Sequence, residues 1–174
     1  MNPPVQHEVT VVTPESLALL DAHLANSGIP DMHHERFKVQ ADGQGLYLAA
    51  WRNGTPVGYV LLHFKHPPHH ASYDHHPDCA YVEALDVRPE DRRQGFALAL
   101  MREAEARARS SGATLVGLSV GVDNAPARAL YQGLGYVPTQ VPDYRVSWTY
   151  LDPQTGEAKE EGETCSFWAK PLAR

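Results

Sequence analysis

Hydrophobic residues recur along this chain with two periods, and these divide it into strands and helices. Residues 9–12 read as a short apolar strand. Thr13 then offers a helix cap with Pro14 and Glu15 in the first turn, and Leu17, Leu20 and Leu24 follow at helical spacing before Gly28. Residues 31–40 predict a second short helix anchored by Phe37. Residues 46–52 and 55–64 read as strands, and Asn53-Gly54 between them signals a tight antiparallel hairpin. A segment rich in His and Pro, 65–78, is expected to be an exposed loop stiffened by its prolines. The apolar run 80–87 predicts a buried strand. A helix over 97–111 carries Ala97, Leu100, Met101, Ala104 and Ala108 on one face and ends at Gly112. Another buried strand, 114–120, makes a strand–helix–strand unit, which implies parallel pairing. Residues 126–134 predict a helix closed by Gly135. Residues 144–151 and 164–170 read as antiparallel strands joined by a polar, mobile connection, 152–163.

The resulting order, β-α-α-β-β-β-α-β-α-β-β, is mixed α/β, and the 174 residues suffice for one domain spanning 1–174. An apolar content of 43% fits a packed core. The net charge of −6 argues against a general nucleic-acid binder and favours a cationic substrate. Two cysteines, Cys79 and Cys165, make neither a disulfide framework nor a metal motif. With no apolar leader and no run of membrane-spanning length, the expected location is the cytoplasm, with no membrane partner.

Candidate chemistry begins where the strand 80–87 runs into a basic turn and then a helix. Helix N-termini leave backbone N–H groups unpaired under positive potential, which suits phosphate. No G-x-x-x-x-G-K-[ST] and no G-x-G-x-x-G after a strand occurs, which excludes the commoner nucleotide loops. Instead the turn reads Arg92-x-x-Gly95-x-Ala97. Further on, Asn124, Ala127, Leu130, Tyr131, Gly135 and Tyr136 match N-x-x-A-x-x-[LFY]-Y-x-x-x-G-[FY] at every specified position. Together these resemble the two signatures of the GNAT superfamily of acyl-CoA-dependent N-acyltransferases. The order of elements extends the resemblance over nearly the whole chain.

The resemblance implies a GNAT-like fold: a central, mostly antiparallel sheet with one parallel strand pair at the coenzyme A cleft and helices on both faces. It implies that backbone amides of Arg93, Gln94, Gly95, Phe96, Ala97 and Leu98 hold the diphosphate of acetyl-CoA, with Arg88, Arg92 and Arg93 adding charge. Leu85 and Val87 would offer main-chain groups to the pantetheine and the acetyl oxygen. Asn124 would contact the pantetheine arm, and Tyr131 would protonate the leaving thiolate. Read from the residues alone, Asn124 is a helix cap and Tyr131 a core residue with its hydroxyl satisfied. Glu83 is the candidate base, ahead of Asp86. It lies inside an apolar strand, where partial burial is expected to raise its pKa, and strand alternation places Tyr81, Glu83, Leu85 and Val87 on one face. The other reading of Glu83 is a carboxylate paired with a neighbouring Arg or Lys at the sheet edge. Cys79 is the covalent alternative.

The expected reaction is direct acetyl transfer to a primary amine on a small molecule or peptide, by a monomer or homodimer, without a metal. A non-catalytic acyl-CoA sensor or interaction module is the alternative. The acceptor cleft is expected from 30–37, 65–78 and the strands around Tyr144 and Trp148. Phe37, Tyr73, Tyr144 and Trp148 are candidates for holding a cation. His63, His66, His69, His70, His75 and His76 invite a metal, but no ligand motif completes a site. His33 and His34 are expected to be exposed polar residues of the second helix.

Overall fold

The computed structural model describes residues 7–25, 27–68 and 70–173. Among these, the elements run β1 (Glu8–Val11), α1 (Pro14–His23), α2 (Met32–Ala41), β2 (Gly45–Arg52), β3 (Thr55–His63), β4 (Ala80–Val87), α3 (Phe96–Ser110), β5 (Leu115–Gly121), α4 (Ala125–Gly133), β6 (Val137–Pro138), β7 (Tyr144–Leu151) and β8 (Ala158–Pro171). One 8-stranded sheet joins them in the order β1-β2-β3-β4-β5-β8-β6, with β7 also paired to β8. Only β4 and β5 pair in parallel; every other pair is antiparallel.

Local chemistry explains most element ends. Thr13 caps α1 with Ser16 in a reciprocal box, and Pro14 fills the first helical position, where its missing N–H costs nothing. Asn53 and Gly54 both take positive φ in the β2–β3 turn, as the twist of a two-residue hairpin requires. Strand alternation then sorts the core. Leu48, Ala50, Val60 and Leu62 pack with Leu100, Met101 and Ala104 of α3. Tyr47, Ala49, Trp51, Tyr59 and Leu61 pack on the other face with Leu17, Leu20 and Met32 of α1 and α2. The sheet therefore has helices on both faces.

Four expectations change. Leu24 lies just beyond α1, although its side chain is buried. Phe37 is only half-buried; α2 is anchored by Met32 and by His33, which is 1% exposed rather than solvated. The His33 ring shares a 2.6 Å hydrogen bond with the Tyr47 hydroxyl, which satisfies it inside the core. His34 is exposed as expected and pairs with Asp21 at 2.9 Å. Finally, most of 152–163 is not a loose connection. β8 starts at Ala158 and pairs with β7 from Leu151↔Ala158 to Tyr144↔Cys165. The turn is tied by Asp152 Oδ1, which accepts from the amides of Gln154 and Thr155.

Candidate active site

The site begins with a fault in β4. Ala84 has φ +58°, and the β3–β4 register slips between Tyr59 and Leu61. Such a bulge inserts one residue and reverses the alternation beyond it. Tyr81 and Glu83 therefore do not share a face with Leu85 and Val87. Glu83 turns toward the α2 side, while Leu85 and Val87 pack into the α3 core. Pairing of β4 with β5 also stops at Val82↔Leu118. From Glu83 onward the β5-facing edge of β4 has no strand partner among the described residues, so its backbone groups are available to a ligand.

The turn after β4 is held by a buried carboxylate. Asp91 is 0% exposed and takes Arg88 from its own turn, at 2.7 Å to Nε, and Arg52 from β2. Arg92 donates through Nε to the Val87 carbonyl at 2.8 Å and faces Asp86 at 3.3 Å. Arg88 and Arg92 thus brace the turn, and of its three arginines only Arg93 is exposed with no ion pair to the described residues. Gly95 has φ +90°, and Phe96, 1% exposed, pins the start of α3. Among the described residues, none of the amides from Arg93 to Leu98 donates to a protein acceptor; the first helical bond runs from Ala99 to Gly95. This row of unpaired donors at the start of a 15-residue helix fits a diphosphate.

Asn124 caps α4, its Oδ1 accepting from the Ala127 amide at 3.2 Å. Tyr131 is buried in the α3-side core with its ring 5.9 Å from that of Tyr136. Its hydroxyl, however, has no hydrogen-bond partner among the described residues. Burial pushes the phenol up to about 12, so it carries its proton at neutral pH.

On the opposite side of β4 lies a cleft of about 780 Å³, walled by Arg36, Tyr59, Tyr81, Glu83, Trp148 and Glu163 among others. Its rim is closed where the Gly28 carbonyl accepts the Leu151 amide at 2.7 Å, joining the α1–α2 turn to β7. Glu83 stands 2.9 Å from His63 Nε2, with its side chain 41% exposed. Burial pushes this carboxyl up. The hydrogen bond and charge of His63, with Arg36 and His70 behind it, pull it down further, so the net direction is below the ordinary carboxylate value. This reverses the expected raised pKa: the carboxylate is paired, but with His63 of β3 rather than with an Arg or Lys. Glu83 is therefore ionised at neutral pH, the form that accepts a proton.

The histidine-rich segment is also more ordered than expected. His66 is 2% exposed and stacks on Tyr81 and Phe167 with centroids 4.7 and 5.4 Å away. Buried Ser72 joins His66 and His70, each at 2.8 Å. His70 continues to Tyr81 at 3.0 Å, and Tyr81 and Tyr144 both meet Ser119. This network satisfies polar groups beside the cleft. The segment itself lines a second cleft of about 510 Å³, with His63 and Tyr73, rather than the first. Phe37 and Tyr144 do not line the first cleft either, whereas Trp148 does. His69 lies outside the described residues. No group of three or more metal-ligating side chains is found among the described residues. Burial pushes the Cys79 thiol up to about 12 and the Cys165 thiol to about 11. Neither is a thiolate at neutral pH, which counts against an acyl-cysteine. Glu161, Glu163, Tyr150, Arg36 and His63 were not singled out for this site, although Arg36 and Tyr150 lie in segments expected to wall the acceptor cleft and His63 was noted with the other histidines. The first three depend on the long β8 pairing, the last two on which face α2 and β3 present.

Residues 17–136 match the profile of the Acetyltransferase (GNAT) family. An aminoalkylphosphonate N-acetyltransferase from Salmonella typhimurium is 34% identical over 90 residues, covering 52% of this chain and 55% of that protein's own length. An N-acetyltransferase structure from Staphylococcus aureus Mu50 superposes with a TM-score of 0.66 at 14% identity, over 97% of this chain and 99% of the other. A Salmonella typhimurium structure, described as a putative acetyltransferase with its cofactor acetyl-CoA, gives 0.65 at 16% identity, over 97% and 95%. No helix among the described residues is long and apolar enough to cross a membrane.

Proposed function

This chain belongs to the GNAT family of acetyltransferases, and we propose that it moves an acetyl group from acetyl-CoA directly to the primary amine of a small acceptor. Amides 93–98 hold the diphosphate, and Arg93 adds charge. The unpaired β4 edge at Leu85 and Val87 receives the pantetheine arm and the thioester oxygen, where a backbone N–H stabilises the developing oxyanion. Asn124, besides capping α4, faces the arm. The acceptor enters from the cleft on the Glu83 side. An ammonium has no lone pair, so it must first lose a proton, and ionised Glu83 takes it directly or through one water. The free amine then attacks the carbonyl, the nitrogen releases its second proton to solvent as the C–S bond breaks, and the thiolate leaves as coenzyme A. Tyr131, protonated and without a protein acceptor, supplies the proton to sulfur.

The observation that carries this reading is the bulge at Ala84, which turns a carboxylate into the acceptor cleft beside a strand edge that β5 leaves unpaired beyond Val82. Four carboxylates, Glu83, Asp86, Glu161 and Glu163, line the acceptor cleft against two guanidiniums, Arg36 and Arg92, which favours a cationic amine. A second reading, an amine that also carries an acidic group, rests on Arg36 Nη1, which is buried without a hydrogen-bond partner. Glu83→Gln should lower acceptor-dependent thiol release by about 10²–10⁴-fold at neutral pH, and Tyr131→Phe should lower kcat, both with acetyl-CoA affinity nearly unchanged. Full activity of either variant removes that residue from the mechanism.

A further inference from the structure

The sheet places His63 between two clefts. In the β3–β4 register Leu61 faces Glu83 and His63 faces Tyr81, so His63 and Glu83 are diagonal neighbours on the α2 face. Their side chains meet at 2.9 Å. A carboxylate can only accept, so with Glu83 ionised the Nε2–H donates. Glu83 opens to the acceptor cleft. His63, 13% exposed, lines the second cleft and not the first.

We propose that His63 is the positioning residue of the reaction: it fixes the Glu83 carboxylate toward the acceptor, keeps it in the accepting form, and keeps the pair in contact with solvent through the second cleft while the first is filled. The proposal rests on Glu83 being the base. Other groups near Glu83 do not replace His63. Arg36 from α2 and His70 from the loop act on it at longer range, while Tyr81 and Asp86 of its own strand, and Tyr150, Glu161 and Glu163 across the cleft, add no cation. Arg92 is committed to Asp86 and the Val87 carbonyl. Around His63 the second cleft presents Glu35, Lys38 and Asp42 near α2, and Lys65, His66, Tyr73 and Asp78 from the loop. These carry both signs, and none has a hydrogen bond to His63.

The test reads the Glu83 carboxyl itself. The side-chain carboxyl carbons of Glu are followed by NMR against pH in the wild type, His63→Gln and His63→Ala, with Glu83→Gln identifying the Glu83 signal. Loss of an opposite charge within hydrogen-bond reach shifts a carboxyl by about 1–3 units. The Glu83 midpoint should therefore rise by at least about one unit in His63→Ala, and by somewhat less in His63→Gln, whose amide donates without charge. The acid limb of kcat/KM for the best amine substrate should move with it, and the KM for acetyl-CoA should not. If His63→Ala fails to fold, His63→Gln carries the same test. A Glu83 midpoint that ignores both substitutions overturns the proposal, even if Glu83→Gln is inactive. Should the midpoint move while Glu83→Gln stays fully active, the coupling stands as chemistry, and Glu83 as base, with His63 as its positioner, falls.

Discussion

Asp91 is the anchor on which the donor loop hangs, and its replacement by Ala isolates that role. The carboxylate is fully buried and accepts two guanidiniums, Arg52 from β2 and Arg88 from the turn. Removing one member of a buried ionic cluster costs about 3–5 kcal/mol, because the remaining charge is stranded. Here the stranded arginines are 32% and 24% exposed, so water recovers part of that cost. The expected loss is about 2–3 kcal/mol, or roughly 5–10 °C in melting temperature for a domain of this size. Glu103→Ala is the control. It breaks the surface Arg107–Glu103 pair, whose side chains are 46% and 32% exposed, and should cost no more than about 0.5 kcal/mol. Calorimetric melts measure both. Since Arg92 to Ala97 follow directly on Asp91, acetyl-CoA affinity measured on folded Asp91→Ala should also fall, by about tenfold, equivalent to 1.4 kcal/mol. If Asp91→Ala melts within a degree of the wild type and binds acetyl-CoA equally well, the anchor reasoning is wrong.

Other consequences follow from single positions. Gly95→Val places a β-branched residue at φ +90° with its Cβ 2.9 Å from His7 Nε2; acetyl-CoA binding by calorimetry should be lost in a protein that still folds but melts at a lower temperature, and undiminished affinity would remove the loop from the donor site. Gly117→Ala in β5 drives a Cβ to 2.2 Å from Phe167 Cζ of the antiparallel neighbour β8, so the urea midpoint should drop by an amount equivalent to about 1–3 kcal/mol; an unchanged midpoint contradicts the packing. Burial lowers His66 from 6.5 to about 4. The unfolded chain then binds the proton first, so this stability is present above pH 6.5 and is lost as pH falls toward 4, by up to about 3 kcal/mol. Buried His33 and His70 act in the same direction. Urea midpoints at pH 7.5 and 5 should differ less in His66→Gln than in the wild type; equal pH sensitivity counts against a buried neutral His66.

How far the chain could be read from its residues varied with how local each cause was. The bounds of β4, the Asn53-Gly54 hairpin, the Thr13 and Asn124 caps and the Arg92-x-x-Gly95-x-Ala97 turn were legible, because each is decided within a few residues. The direction of Glu83 relative to Val87 was not. The bulge is made by Ala84, an alanine in the left-handed region, and nothing in the local pattern marks it. The outer half of β8 was hidden because that hairpin is largely solvated on both faces, so its polar residues show no period of two that separates core from solvent. His66 was read as a loop residue, but its partners Tyr81 and Phe167 are brought to it only by the folded sheet. His63 was noted only as one of a histidine cluster, because its contact with Glu83 exists only through the diagonal pairing of β3 with β4.

The most direct test of the account is thiol release from acetyl-CoA across polyamines, aminoglycosides, aminoalkylphosphonates, amino acids and short peptides. The account predicts acceptor-dependent release that leaves an N-acetylated amine. Preference for polycations would support the carboxylate-lined cleft as the selecting feature, and preference for aminoalkylphosphonates or amino acids would support Arg36. Release that is independent of any amine, or acetylation at oxygen alone, would contradict it.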